Sequence, residues 1–141
     1  MIKKFLLLGL IFSLTMLMIG CVPSSKADLM VQSFDDIDVD CSLVAAPGLC
    51  ATTVTFTIVN IGSGDAGPFK VLVKADPGLA QQQTVSVSGL VAGATTTLTV
   101  TLPPGGNCYD PDCDVCITVD SDLEVIESNE GNNDYCELTI G

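Results

Sequence analysis

The residues able to do chemistry fall into two groups, seven cysteines and a run of acids toward the C-terminus. Asp110, Asp112 and Asp114 alternate, Asp120, Asp122 and Glu124 alternate after them, and Glu127 and Glu130 follow. No lysine or arginine lies beyond Lys74 to offset them. Calcium takes six to eight oxygen ligands, and extracellular modules hold it at about 0.1–1 mM. Asp110, Asp112, Asp120 and Asp122 are therefore the candidate ligands of a weak calcium site. The run does not match an EF-hand loop, which requires a glycine absent from Asp120–Glu130. A structural expectation competes: Glu127, Asn129, Asn132 and Asn133 hydrogen-bond the backbone of their own hairpin, as short polar side chains do in turns.

Cys41, Cys50, Cys108, Cys113, Cys116 and Cys136 are an even set in a small domain that carries an export signal, the usual mark of disulfides. Cys113-Asp114-Val115-Cys116 is formally Cys-x-x-Cys, and with Cys108 and Cys136 it offers four thiolates of the kind zinc uses. Export, and a position in a strand rather than at a helix start, favour disulfides instead. Cys41 and Cys50 flank a short loop and are expected to pair. For the other four, strand parity places Cys113 and Cys136 on inward faces, which points to Cys113–Cys136 with Cys108–Cys116. Sequential pairing, Cys108–Cys113 with Cys116–Cys136, stays open beside it.

Catalysis is not expected. The chain has no histidine, and so lacks the usual general base near neutral pH. It has neither a Gly-x-Ser-x-Gly elbow nor a phosphate-cradling glycine loop. Nucleic acid is excluded as a partner by charge: three of the five lysines and all seventeen acids lie beyond residue 20, a balance that repels polyanions.

The elements that position these residues begin after a leader. Lys3 and Lys4 precede an uncharged apolar stretch from Phe5 to Ile19, short for a membrane span but the right length for a signal-peptide core. Met18-Ile19-Gly20-Cys21 resembles the lipobox of bacterial lipoproteins, which implies cleavage after residue 20 and acylation of Cys21. Residues 21–27 then form a short tether, and residues 28–141 one domain of about 110 residues. Lipid anchoring at the cell envelope or cell surface is the expected location.

Within 28–141 the text is that of an all-β protein. Val54, Phe56 and Ile58 alternate with Thr53, Thr55 and Thr57, the pattern of a half-buried strand. Phe69, Val71 and Val73 repeat it, as do Val85 and Val87, then Leu98, Val100 and Leu102, then Val115, Ile117 and Val119. Leu29 and Val31 open the series, and Cys136, Leu138 and Ile140 close it as an expected inward set. Turn residues separate the runs. About seven strands with one polar face each predict an Ig-like two-sheet antiparallel β-sandwich, stabilised by disulfides.

Four ordered blocks resemble the CARDB family, the cell-adhesion-related domain of bacterial and archaeal surface proteins. They are Asp28-Leu29-Met30-Val31, then Val59-Asn60-Ile61-Gly62 with Ala66-Gly67-Pro68-Phe69-Lys70-Val71, then Gly89-Leu90-Val91-Ala92-Gly93, and the stretch from Val119 to Asn133. The resemblance implies adhesion or scaffolding at a cell surface, with a protein or surface polymer as partner. Two alternatives accompany it. One is a self-assembling fibre subunit that exchanges the strand in residues 28–40 with its neighbour. The other is a weak calcium-dependent binding module.

Overall fold

The computed structural model describes residues 24–42, 50–75, 81–105 and 112–140. The leader, Cys21, Cys108 and Asp110 lie outside the described residues. Seven strands follow in order: β1 (Leu29–Asp40), β2 (Ala51–Asn60), β3 (Phe69–Ala75), β4 (Gln81–Val87), β5 (Thr95–Leu102), β6 (Asp112–Val119) and β7 (Asp134–Ile140). They form two antiparallel sheets, β1-β2-β5 and β4-β3-β6-β7. The expected Ig-like sandwich is what the chain builds.

The core lies between the sheets. Val54, Phe56 and Ile58 of β2 face Phe69, Val71 and Val73 of β3 and Val115, Ile117 and Val119 of β6, all buried. Burial of such side chains stabilises by about 1.5–3 kcal/mol each before the entropy of ordering them is set against it. On the outer face of the three-stranded sheet the alternate threonines pair by register. Thr53 meets Thr101 at 3.0 Å, Thr55 meets Thr99 at 3.1 Å, and Thr57 meets Thr97 at 2.9 Å, hydroxyl to hydroxyl. This ladder satisfies a polar face that faces water and pins the β2–β5 register.

β1 and β7 depart from simple alternation. β1 slips register against β2 between Val31 and Ser33 and again between Phe34 and Asp36, so only its first residues keep a strict inward set. Two bulges in one edge strand also blunt it as a template for further pairing. In β7 the expected inward set is reversed: Cys136 and Leu138 are exposed, and Tyr135 on the other face stacks on Phe34 with ring centroids 6.4 Å apart.

That reversal settles one pairing. Cys116 and Cys136 stand directly opposite in the β6–β7 ladder, share the outer face, and are joined with their Cα atoms 4.1 Å apart. The Cys113–Cys136 pairing favoured by parity is thus corrected. Cys113 is buried inward, on the other side of the sheet, and is disulfide-bonded. Cys41 pairs with Cys50 as expected, Cα atoms 4.0 Å apart, and closes the β1–β2 hairpin. Each bond contributes about 2–4 kcal/mol in the chain-entropy account.

The strand directions give the sandwich two poles. β1 starts, β2 ends, β3 starts, β4 ends, β5 starts, β6 ends and β7 starts at one of them, since each pair is antiparallel. The N-terminal segment, the β2–β3, β4–β5 and β6–β7 loops all meet there. The Cys41–Cys50 disulfide closes the opposite end, and Cys116–Cys136 lies within the β6–β7 ladder. No helix among the described residues is long and apolar enough to cross a membrane.

Candidate functional site

The pole where the chain enters is built from buried polar side chains, and each has a structural reason to be there. Asn60 ends β2 fully buried. Its Oδ1 accepts from Asp28 N at 3.1 Å and Gly62 N at 3.0 Å, and its Nδ2 donates to Gly64 O and Leu90 O, both at 2.9 Å. One side chain thereby ties the N-terminal segment, the β2–β3 loop and the β4–β5 loop together. Leu90 and Ala66 exchange both backbone hydrogen bonds beside it, and Asp65 Oδ1 accepts from Ala92 N at 2.9 Å.

The N-terminal segment is packed rather than free. A side chain at Gly64 would put its Cβ 2.7 Å from Ser25 O, and one at Gly62 would collide with the backbone of Lys26–Asp28. Both glycines are there because the entering chain lies flush on their backbone. Ala27 is buried and forms a parallel bridge with Glu127, and Ser128 N donates to Ala27 O at 2.8 Å. The described residues ahead of position 28 are thus packed against the domain.

The β6–β7 loop carries the acids. Asp120 follows β6 with φ +49° and is buried. Its Oδ1 accepts from Glu124 N and its Oδ2 from Val125 N, each at 2.9 Å. An aspartate whose carboxylate caps its own turn tolerates this left-handed conformation better than most residues. Glu127 is also buried, accepting from Leu29 N through Oε2 and from Asn133 Nδ2 at 3.0 Å through Oε1. Glu130 Oε1 accepts from Glu127 N at 2.9 Å. Asn132 Nδ2 and Ser128 Oγ each donate to Asp28 at 2.7 Å, while Asn129 Oδ1 accepts from Gly131 N at 3.1 Å.

Of the four aspartates proposed for calcium, the described ones do not converge. Asp112 opens β6 and Asp120 follows its last residue, a separation of about 26 Å along an extended strand. Those two cannot share an ion. Asp122 is engaged by Lys70, which also stands 3.7 Å from Glu124. That ion pair holds the Lys70 ammonium above its ordinary pKa. The acids that do converge are Asp120, Glu127 and Glu130, with one oxygen of each within 4.8 Å of the others. The sequence names Asp120 as a ligand but places Glu127 in the hairpin and leaves Glu130 an ordinary member of an acidic run, so the set as a whole is not legible there. The four residues assigned to the hairpin divide. Asn129 caps its own loop and Asn133 holds the Glu127 side chain, but Glu127 and Asn132 reach the N-terminal segment instead of hairpin backbone.

Burial pushes the Glu127 carboxyl up from its ordinary value, and the charges of Glu130 and Asp120 add to this, while the donors at Leu29 and Asn133 pull the other way. A carboxyl whose folded pKa exceeds its unfolded one holds its proton more tightly in the native state. Its contribution to stability is complete below the unfolded value, near 4.5, and is lost as pH rises through the folded value. Glu127 therefore predicts a fall in stability on going up in pH just above 4.5. Urea melts across this range, wild type against Glu127→Gln, check it: the falling segment is present in the first and absent from the second.

Two antiparallel sheets in this order define an Ig-like β-sandwich. The CARDB family model matches residues 26–137, and the chain belongs to that family. No curated protein matches it. The CARDB domain of a Pyrococcus furiosus protein, crystallised in complex with di-metal ions, is 22% identical over 82% of this chain and 94% of its own, with a TM-score of 0.54. A domain of a protein assigned to the cell surface of Methanosarcina acetivorans, solved by NMR, is 23% identical over 82% of this chain and 91% of its own, with a TM-score of 0.56.

Proposed function

We propose that this chain is a cell-surface interaction module, held to the envelope by acyl chains on Cys21 and without catalytic activity of its own. The observation that carries the reading is the entry of the chain into the fold. From Ser25 the segment is clamped on Gly62 and Gly64 and bridged to Glu127, so an anchor at Cys21 would hold a rigid domain on a very short leash. Asn60, Asp120 and Glu127, buried at this pole, bond backbone groups of the chain itself, which supports a scaffold more than a reaction centre. The cell-surface assignment of the Methanosarcina relative points the same way. A protein or surface polymer is the proposed partner.

Self-assembly by exchange of residues 28–40 is less well supported. β1 is paired along its whole length with β2, and the Cys41–Cys50 bond closes that hairpin. Light scattering on the oxidised mature chain decides between the two. The module predicts a monomer, with or without calcium; oligomers that grow with concentration and disappear when residues 28–40 are removed would support the fibre subunit.

A second reading has its own observation. Asn133 donates to Glu127 through Nδ2, while its buried Oδ1 has no hydrogen-bond partner. An orphaned acceptor beside three converging carboxylates fits a hard cation, which takes only oxygen ligands, and the Pyrococcus relative was crystallised with metal ions. Asp120, Glu127 and Glu130 would hold it, and its role would be to offset their mutual repulsion. With a dissociation constant of about 0.1–1 mM, 5 mM calcium would stabilise the fold by about 1–2 kcal/mol, seen as a melting temperature several degrees higher. An unchanged melting temperature would remove this reading.

A further inference from the structure

Four of the five large apolar side chains most exposed among the described residues stand at the pole where the chain enters. They are Ile61, Val91, Leu123 and Ile126, at 56, 60, 72 and 77% exposure. They come from three loops far apart in sequence, β2–β3, β4–β5 and β6–β7, which the topology brings to one end. Single exposed apolar residues need no explanation, but a concentration of them on one face does.

The loops that bear them are fixed. Ala66 and Leu90 are doubly hydrogen-bonded, Asp65 holds Ala92, and Ser128 holds Ala27. Leu123 is kept at φ +55°, a conformation that disfavours leucine, with its N–H donated to Asp120 O at 2.9 Å. The loop thus presents an apolar tip outward where a small polar residue would be the easier choice.

What faces this end follows from the chain itself. Cys21 is three residues before Ser24, a reach of about 10 Å at full extension. The headgroup layer on each side of a bilayer is about 5–8 Å deep. An acylated Cys21 therefore keeps the entry pole within about 5 Å of the headgroup surface. Asp65, Asp122, Glu124 and Glu130 also lie there, joined by Lys26 and Lys70, so the pole suits zwitterionic headgroups and would be repelled by strongly anionic ones.

We infer that Ile61, Val91, Leu123 and Ile126 form a membrane-seating surface that rests in the bilayer holding the acyl chains of Cys21, orienting the sandwich with its opposite pole outward. This rests on the lipid-anchor reading. The chain contains no tryptophan, so single reporters are clean: Leu123→Trp, Ile126→Trp and Val91→Trp, with Leu138→Trp on the exposed face of β7 as control. Each full chain, purified from membranes, is placed in phosphatidylcholine vesicles whose lipids carry bromine near the headgroup end of the acyl chains. Intact mass is read on the same samples. Seating predicts that the three pole reporters lose most of their emission to bromine and shift to the blue, while Leu138→Trp is unchanged. Acylated protein whose pole reporters are not quenched would overturn the seating and leave the anchor standing. Blue-shifted emission without quenching would overturn it too, and point to contact between copies of this chain. An unmodified Cys21 in the mass spectrum would remove the anchor and the seating with it.

Discussion

Asn60→Ala lowers the stability of the domain by about 3–4 kcal/mol. The substitution leaves two N–H groups, of Asp28 and Gly62, and the Gly64 carbonyl without the partner they now have, while the Leu90 carbonyl loses one of two donors and keeps the Ala66 N–H. A buried polar group stripped of its partner costs about 1–3 kcal/mol, and relaxation or entering water recovers part of the sum. Against a domain stability of about 5–15 kcal/mol the loss is large. Urea denaturation measures it as a lower midpoint at unchanged slope. Asn60→Asp separates the two halves of the network. It keeps an acceptor for the two N–H groups but turns a second bare oxygen toward two carbonyls, so it destabilises at neutral pH and recovers as the carboxyl is protonated. A midpoint for Asn60→Ala close to wild type would mean that the three loops are held by something other than this side chain.

Glu127→Ala is the second large effect, at about 3 kcal/mol. It orphans the Leu29 N–H at the start of β1 and the Asn133 amide, both in buried surroundings where such donors are costly. Glu127→Gln is milder, because Asn133 can turn its amide to present Oδ1 to the new NH2 group. The two variants thus test whether the buried carboxylate acts through its hydrogen bonds or through its charge. Near-equal losses would point to charge. If calcium raises the melting temperature of wild type, that rise vanishes in both.

The strands with a buried and a wet face were legible in the residues. β2 and β3 show alternation without interruption, since valine, isoleucine and phenylalanine on one side meet threonine and lysine on the other. β1 was legible only at its start, because the two register slips fall among polar residues and leave no apolar signature of the change in parity. β7 was read with its faces exchanged. It is an edge strand, with a disulfide and a leucine outside and a tyrosine half inside, and a short mixed pattern of that kind does not say which face is wet.

The polar pole was less legible, for a different reason. Asn129 capping Gly131 is local chemistry that a turn sequence announces. Glu127 bonding Leu29, and Asn132 bonding Asp28, join positions about a hundred residues apart, and no local pattern names such a partner. Asp120 was misread because Asp120, Asp122 and Glu124 alternate like one face of a strand. The chain instead turns at Asp120, whose carboxylate folds back onto the next residues. The same turn sends Asp122 to Lys70 and brings Glu127 and Glu130 to Asp120, so of the acids that converge only Asp120 is among those whose spacing suggests a site.

In the proposed function a rigid CARDB sandwich is held close against a membrane through Cys21, and the intact mass of the protein extracted from membranes is its test. The expected polypeptide begins at Cys21, lacks residues 1–20, and carries the added mass of acyl chains on that first residue. A chain beginning at any other residue, or one beginning at Cys21 with no added mass, would contradict it.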